Sequence, residues 1–150
     1  MAFLGKKLVN LTGEVLSSSL NLSNPLLVYF SASWCPPCRS FTPKLIEFYN
    51  THKKTNKDLE VVLVSLDETE AAFSAYSSKM PWLSIPFTEK KTIESLGVRY
   101  SMTSIPLLVL VNKNGDLLSS ECRHVVEGNP SKAYDLFVKL LKDDEKKVKT

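Results

Sequence analysis

Trp34-Cys35-Pro36-Pro37-Cys38 lies between an unbroken apolar run, Leu26-Leu27-Val28-Tyr29-Phe30-Ser31, and a segment from Arg39 to Lys54 in which Phe41, Leu45, Phe48 and Tyr49 recur at helical spacing. The run reads as a buried strand and the segment as a helix, so the two cysteines stand where a strand ends and a helix begins. A helix N-terminus offers unpaired N–H groups and the positive end of the helix dipole, both of which favour a thiolate over a thiol. Two cysteines three positions apart at such a junction can accept a disulfide from another molecule and pass it on.

The two sulfurs are not equivalent. Cys35, outermost at the helix start, is the expected nucleophile towards a partner's disulfide; Cys38, one turn further in on the same face, is the expected resolving thiol. Pro36 fits the first helical turn, where its missing N–H costs nothing, and Pro37 removes a second donor. Trp34 would present a flat apolar surface beside the reactive sulfur, suited to docking a partner, or else close the strand end by packing.

The 150 residues are read as a single domain with enough chain to bury a core. Apolar residues make up 43% and charged residues 23%, the balance of a globular protein. A net charge of +3 with no aromatic-interleaved basic stripe argues against nucleic acid as a partner. Three cysteines are too few, and odd in number, for a disulfide-stapled secreted scaffold. The start of the chain lacks a signal-like apolar stretch and no segment reaches membrane-spanning length, so the expectation is a cytoplasmic, monomeric protein without membrane association. Asn10-Leu11-Thr12 and Asn21-Leu22-Ser23 match the glycosylation triplet, a pattern that needs a secretory route to matter.

Periodicity orders the rest. Residues 1–25 read as an N-terminal strand or hairpin extension, and Leu59 to Leu66 as a second β-branched strand, which completes a βαβ unit with parallel strands. Thr69 to Ser78 and Lys90 to Leu96 read as helices on either side of an irregular stretch around Met80-Pro81-Trp82. Leu107 to Val111 is a further buried strand, with Asn114-Gly115 turning into Asp116–Ser120. Gly128-Asn129-Pro130-Ser131 breaks the chain before a helix from Lys132 to Leu141, and residues 142–150 read as a frayed charged tail. The expected architecture is α/β, a central mixed sheet with helices on both faces.

The run Tyr29-Phe30-Ser31-Ala32-Ser33-Trp34-Cys35-Pro36-Pro37-Cys38-Arg39, with Phe41-Thr42-Pro43 and Leu45-Ile46-Glu47-Phe48-Tyr49 after it, resembles the tryparedoxin and nucleoredoxin branch of the thioredoxin superfamily. Met80-Pro81-Trp82-Leu83, followed by Ile85-Pro86-Phe87, matches a second signature of that branch, and Ser104-Ile105-Pro106 stands where the superfamily has a cis-proline. The resemblance runs from about Leu26 to Asp116. It implies a thioredoxin fold, a redox-active Cys35–Cys38 disulfide with no separate cofactor, and reduction of protein disulfides such as those of a peroxiredoxin, with a low-molecular-weight thiol such as trypanothione or glutathione as donor.

Laid onto this chain, the resemblance implies that Pro106 is cis beside the cysteine pair, leaving the backbone of Ile105 to meet an extended substrate. Asp67 and Arg123 match an acidic and a basic position of the substrate site. The residues themselves offer alternatives: Asp67 as an N-cap for the following helix, and Arg123 as a solvated charge on a strand edge. Thioredoxins proper have a buried aspartate where this chain has Tyr29, so proton transfer at Cys38 must use water or another group. Leu66 replaces a common Trp, and a C-terminal Phe-Pro-Trp stretch is absent.

Other readings compete with these. Cys122 and His124 have the ligand types to complete a Cys3His zinc site with Cys35 and Cys38, although paired prolines and a flanking Trp fit thiol exchange better, and no metal is expected. Cys122 alone reads as a small buried strand residue, and His52 as a cap or a solvated residue in a lysine-rich helix end. A TlpA/ResA-like oxidoreductase would also carry Trp-Cys-Pro-Pro-Cys, but normally with an anchor or export signal. From a different class, a binding or chaperone-like module would use the Trp34–Pro106 surface for docking alone.

Overall fold

Alternate residues of Leu26–Ser31 face opposite sides of a seven-stranded sheet, and both sides are covered. In the computed structural model, which describes residues 2–149, the chain runs β1 (Lys7–Asn10), β2 (Gly13–Leu16), β3 (Leu26–Ser31), α1 (Pro36–Lys54), β4 (Glu60–Ser65), α2 (Glu70–Ser77), β5 (Leu83–Ser84), α3 (Lys90–Arg99), β6 (Leu107–Val111), β7 (Leu117–Ser119), α4 (Cys122–Gly128) and α5 (Pro130–Lys149). The sheet order is β2-β1-β5-β4-β3-β6-β7. β3 pairs in parallel with β4, Leu26 opposite Glu60 through Ser31 opposite Ser65, and antiparallel with β6. Central strands buried on both faces need continuous apolar runs, which is what β3, β4 and β6 supply.

Leu27 and Tyr29 enter a core shared with Phe41, Leu45 and Phe48 of α1, Phe73 and Tyr76 of α2, Val126 of α4 and Phe137 of α5. Val28 and Phe30 enter the opposite core with Leu8, Leu96 and Tyr100. The βαβ crossover β3–α1–β4 thus sets the C-terminal end of β3 directly against the first turn of α1. That helix starts with Pro36 and Pro37 behind an extended Cys35 and ends with His52, Lys53 and Lys54, the two lysines placing positive charge at the negative end of the dipole. Pro43 sits inside it and withholds one N–H from the ladder.

The expected N-terminal hairpin forms, β1 and β2 pairing antiparallel, and it joins the main sheet through the short β5. The Asn114-Gly115 turn also forms; Gly115 has φ +83, and a Cβ there would lie 2.7 Å from Cγ of Phe3. Several expectations are corrected. Met80-Pro81-Trp82 is irregular as expected but leads into the short strand β5, and Cys122–Gly128 is a helix where none was expected, so Cys122 opens α4 and Arg123 is a helix residue, not a strand-edge charge. Residues 142–149 are not frayed: α5 runs on to Lys149, a stretch of helix-compatible residues without Gly or Pro, and Asp144 Oδ2 accepts a 2.9 Å bond from Asn112 Nδ2. Thr150 lies outside the described residues. His52 is not solvated; it is buried, bonded through Nδ1 to the Phe48 carbonyl at 2.9 Å and stacked on Tyr134.

Candidate active site

Cys35 occupies the N-cap of α1, its Sγ accepting the backbone N–H of Cys38 at 3.3 Å. Helix geometry does this: the residue before the first turn faces N–H groups with no intrahelical partner, and a sulfur takes the place an Asp or Ser oxygen usually fills. The Cys35 Sγ–H donates in turn to the Ile105 carbonyl at 3.8 Å. The Ile105–Pro106 peptide bond is cis, as the resemblance implied, and the loop before β6 lies against the reactive turn. Both sulfurs lie in a small apolar cluster with Ala32, Leu66 and Ile105; Cys35 is 5% exposed and Cys38 fully covered.

Trp34 stands out of this cluster, 56% exposed, its indole N–H tied to the Leu66 carbonyl at 3.2 Å. One edge is anchored while the ring surface meets solvent. The loop carrying it is braced from below by Asp67, whose Oδ1 accepts from the Ser33 N–H (2.9 Å) and Ser33 hydroxyl (2.6 Å) and whose Oδ2 accepts from the Ser65 hydroxyl (2.6 Å). Arg39 adds a bond from its guanidinium to the Ser33 carbonyl at 3.0 Å. Asp67 is therefore not the cap of α2; that role belongs to Thr69, whose hydroxyl accepts from the Ala72 N–H. It is buried, with one oxygen on the Ser33 loop and the other on Ser65 at the end of β4. Arg123 lies on α4, bonded to Glu127 at 2.8 Å with its guanidinium 5.9 Å from the Phe41 ring centre.

Burial pushes the Cys38 thiol up to about 11, with the hydrogen bond to Cys35 acting in the same direction and that to Ser31 opposing it. Behind Cys38 is a set of hydroxyls that the motif reading did not include. Tyr29 Oη lies 2.7 Å from Thr42 Oγ1, Thr42 Oγ1 2.8 Å from Tyr76 Oη, and Tyr76 Oη 2.6 Å from Ser31 Oγ, while Thr42 also donates to the Cys38 carbonyl at 2.9 Å. Burial raises both tyrosines above their ordinary value, which keeps them protonated and able to donate. The signal available in sequence was slight: Phe73 and Tyr76 share the inner face of α2, and Ser31 ends an otherwise apolar strand.

The zinc alternative does not assemble. Cys122 is sealed in the core, its Sγ–H donating to the Ser119 carbonyl at 3.6 Å and its thiol pushed up to about 12 by burial. His124 faces solvent beside Glu121, and among the described residues no three His, Cys, Asp or Glu side chains converge on a metal position.

Residues 23–117 match the family model described as thioredoxin-like. The chain belongs to that family. The tryparedoxin of Trypanosoma brucei brucei is 44% identical over 127 residues, a match covering 84% of this chain and 87% of that one. Human nucleoredoxin is 38% identical over 111 residues; this thioredoxin-like chain has 74% of its length in the match but spans only 26% of nucleoredoxin. Among solved structures, a tryparedoxin II complexed with glutathionylspermidine superposes with a TM-score of 0.80 at 37% identity, covering 87% of this chain and 92% of that one. The fold is that of thioredoxin, and this family member is a thiol–disulfide oxidoreductase.

Proposed function

We propose that the chain reduces protein disulfides, such as the disulfide of a peroxiredoxin, with Cys35 as nucleophile and Cys38 as resolving thiol. The observation that carries this reading is the unequal pair at the head of α1: Cys35 at the N-cap beside the cis-Pro106 loop and an exposed Trp34, Cys38 fully covered behind it. Cys35, as thiolate, attacks one sulfur of the partner disulfide; that S–S bond breaks and the other sulfur leaves, taking up a proton. Cys38 loses its proton and attacks Cys35 Sγ, breaking the mixed disulfide and releasing the partner's second thiol. Two electrons have moved, and the chain holds a Cys35–Cys38 disulfide, which serves as its only redox group.

Two equivalents of a monothiol, or one of a dithiol, restore the pair. A low-molecular-weight thiol such as trypanothione or glutathione is the proposed donor, a choice supported by the likeness to the tryparedoxin II that binds glutathionylspermidine. Trp34, Pro36, Pro37, Ile105 and Pro106 form the proposed docking surface for the protein substrate. Asp67 contributes by holding that surface in place, and Arg123 is assigned to the donor's side of the site by resemblance alone. A monomer in the reducing cytoplasm suits a couple that must be re-reduced after each turnover.

Insulin reduction with separate supplies of reduced trypanothione, glutathione, or NADPH with thioredoxin reductase tests the proposal. Turnover selective for trypanothione and abolished in Cys35→Ser is the expected result. Turnover with another donor moves the chain to the nucleoredoxin-like side. Absence of turnover with all three refutes the reading, and retained partner binding in Cys35→Ser would then favour a docking module.

A further inference from the structure

His52 has no part in the thiol chemistry, yet it is held in a defined place. It stands in the last turn of α1 with 8% of its surface exposed, beside lysines that face solvent. Its Nδ1 lies 2.9 Å from the Phe48 carbonyl. A carbonyl only accepts, so Nδ1 carries the proton, and in the neutral ring Nε2 keeps a lone pair. No described residue donates to that nitrogen.

The lone pair is not sealed in. Among the described residues the one sealed side-chain nitrogen or oxygen without a partner is Trp82 Nε1, so His52 Nε2 is open to an incoming molecule. The imidazole packs against Phe48 and Tyr134, 4.4 and 5.2 Å between ring centres, and the Phe48 carbonyl closes its Nδ1 edge. The remaining edge, which carries Nε2, borders a cavity of about 510 Å³ between the second half of α1 and the junction of α4 with α5. Phe48, Val126 and Pro130 give this cavity an apolar lining. Its charged residues are two lysines, Lys44 and Lys57, and two glutamates, Glu47 and Glu127, with Lys44 paired to Glu127 at 3.5 Å. The charges balance, so the rim selects neither an anion nor a cation. Neither the cysteine turn nor the cis-Pro106 loop contributes to the lining.

We propose that this cavity is a second binding site, for an uncharged aromatic molecule carrying a hydroxyl, whose O–H donates to His52 Nε2 while its ring lies on Phe48, Val126 and Pro130. Each part of that class answers a feature of the wall. A buried acceptor without a partner costs free energy, and one O–H donor removes the cost. An apolar lining favours a hydrocarbon body, and a cavity of this size is in the range that holds small molecules. A flat ring against Phe48 adds the attraction of an aromatic pair to the burial of area. A phenol meets these demands with a single polar atom and leaves the rim charges to each other and to solvent. A water bonded to Nε2 would satisfy the acceptor and leave the apolar lining unused, a difference that binding measurements resolve. Because the cavity lies apart from the cysteine turn, its occupant leaves Trp34 and Cys35 free to meet a disulfide.

The probes are p-cresol and 4-fluorotoluene, alike in shape and different in the O–H donor, titrated into the reduced protein at pH 8 and followed by amide and imidazole nitrogen NMR. p-Cresol should move the signals of Phe48, Thr51, His52, Val126 and Ser131 saturably and shift the His52 Nε2 resonance. It should bind about tenfold more tightly than 4-fluorotoluene, the difference that one hydrogen bond makes. His52→Phe keeps an aromatic ring in the stack and should weaken p-cresol alone, bringing the two probes within twofold of each other. Thr51→Trp, at an exposed position on the rim, should obstruct the cavity and weaken both probes roughly tenfold; it carries the test if His52→Phe does not fold. Equal affinity of the two probes for wild type, or no saturable binding of either, is what a lone pair met only by water gives, and either result would overturn the proposal. Shifts confined to the Trp34–Cys35 turn would overturn it as well.

Discussion

Replacing Asp67 with Ala should both destabilise the protein and loosen the loop that carries Trp34 and Cys35. The carboxylate accepts from the Ser33 N–H, the Ser33 hydroxyl and the Ser65 hydroxyl at 2.6–2.9 Å, and its residue is 4% exposed. A hydrogen bond to a charged acceptor contributes about 1.5–3 kcal/mol, and a buried donor left without a partner costs about 1–3. Ser33 is half-buried and can turn to water, whereas Ser65 cannot, so the sum is smaller than three full bonds. A loss of about 3 kcal/mol is the expected outcome by urea denaturation of the reduced protein. That corresponds to a fall in Tm of roughly 6–12 °C for a chain of this size. Asp67→Asn keeps one oxygen for Ser33 and turns an amide towards Ser65, and should lose about 1 kcal/mol. If Asp67 served only to contact the substrate, Asp67→Ala would raise KM for the donor and leave stability within about 0.5 kcal/mol of wild type; that result would refute the bracing argument.

Trp34→Ala should raise KM for a protein disulfide about tenfold while leaving stability within about 1 kcal/mol, because the exposed ring contributes contact area to a partner and little to the core; steady-state insulin reduction and a thermal melt check it. The reduced protein should lose stability in alkali. Cys38 is held above its ordinary value of 9.0, at about 11, so the folded state retains a proton that the unfolded state gives up. That stability is fully present below pH 9 and is lost as pH rises through 11. Urea titrations at pH 8 and pH 11 should therefore differ more for reduced wild type than for Cys38→Ala. Gly115→Ala should cost about 1–3 kcal/mol, since φ +83 is strained for an L-residue and the new Cβ meets the Phe3 ring; a thermal melt reads it. Asp144→Ala should cost about 1 kcal/mol and raise amide exchange in residues 142–149, the measurement that separates a docked helix end from a frayed one.

The parts of the fold that were legible in the sequence are those written in local pattern. The run at Leu26–Ser31 and the spacing of Phe41, Leu45, Phe48 and Tyr49 are periodic over a full element, and the strand–helix junction holding the cysteines follows from them. What escaped was short or set by tertiary contact. β5 has two residues and exists because Leu83 and Ser84 lie between β4 and β1; nothing in their own sequence demands a strand. α4 begins with Cys122, whose side chain is drawn into the core, and it is too short for a helical period to stand out. The charged end of α5 looked like a tail because composition alone cannot reveal that Asn112 waits for Asp144.

The site divides in the same way, and the division has a chemical meaning. Cys35, Cys38 and Trp34 fall within five consecutive residues, so attack and resolution could be assigned from spacing. The hydroxyls behind Cys38 could not be, because Ser31 and Tyr76 are 45 positions apart and meet only when α2 packs against the end of β3. A buried carboxylate near a buried thiol would hold charge in the core and act as a base through its own ionisation. The neutral hydroxyls of Tyr29, Thr42 and Tyr76 that stand there instead store no charge, so the covered Cys38 thiol keeps the raised value that burial gives it.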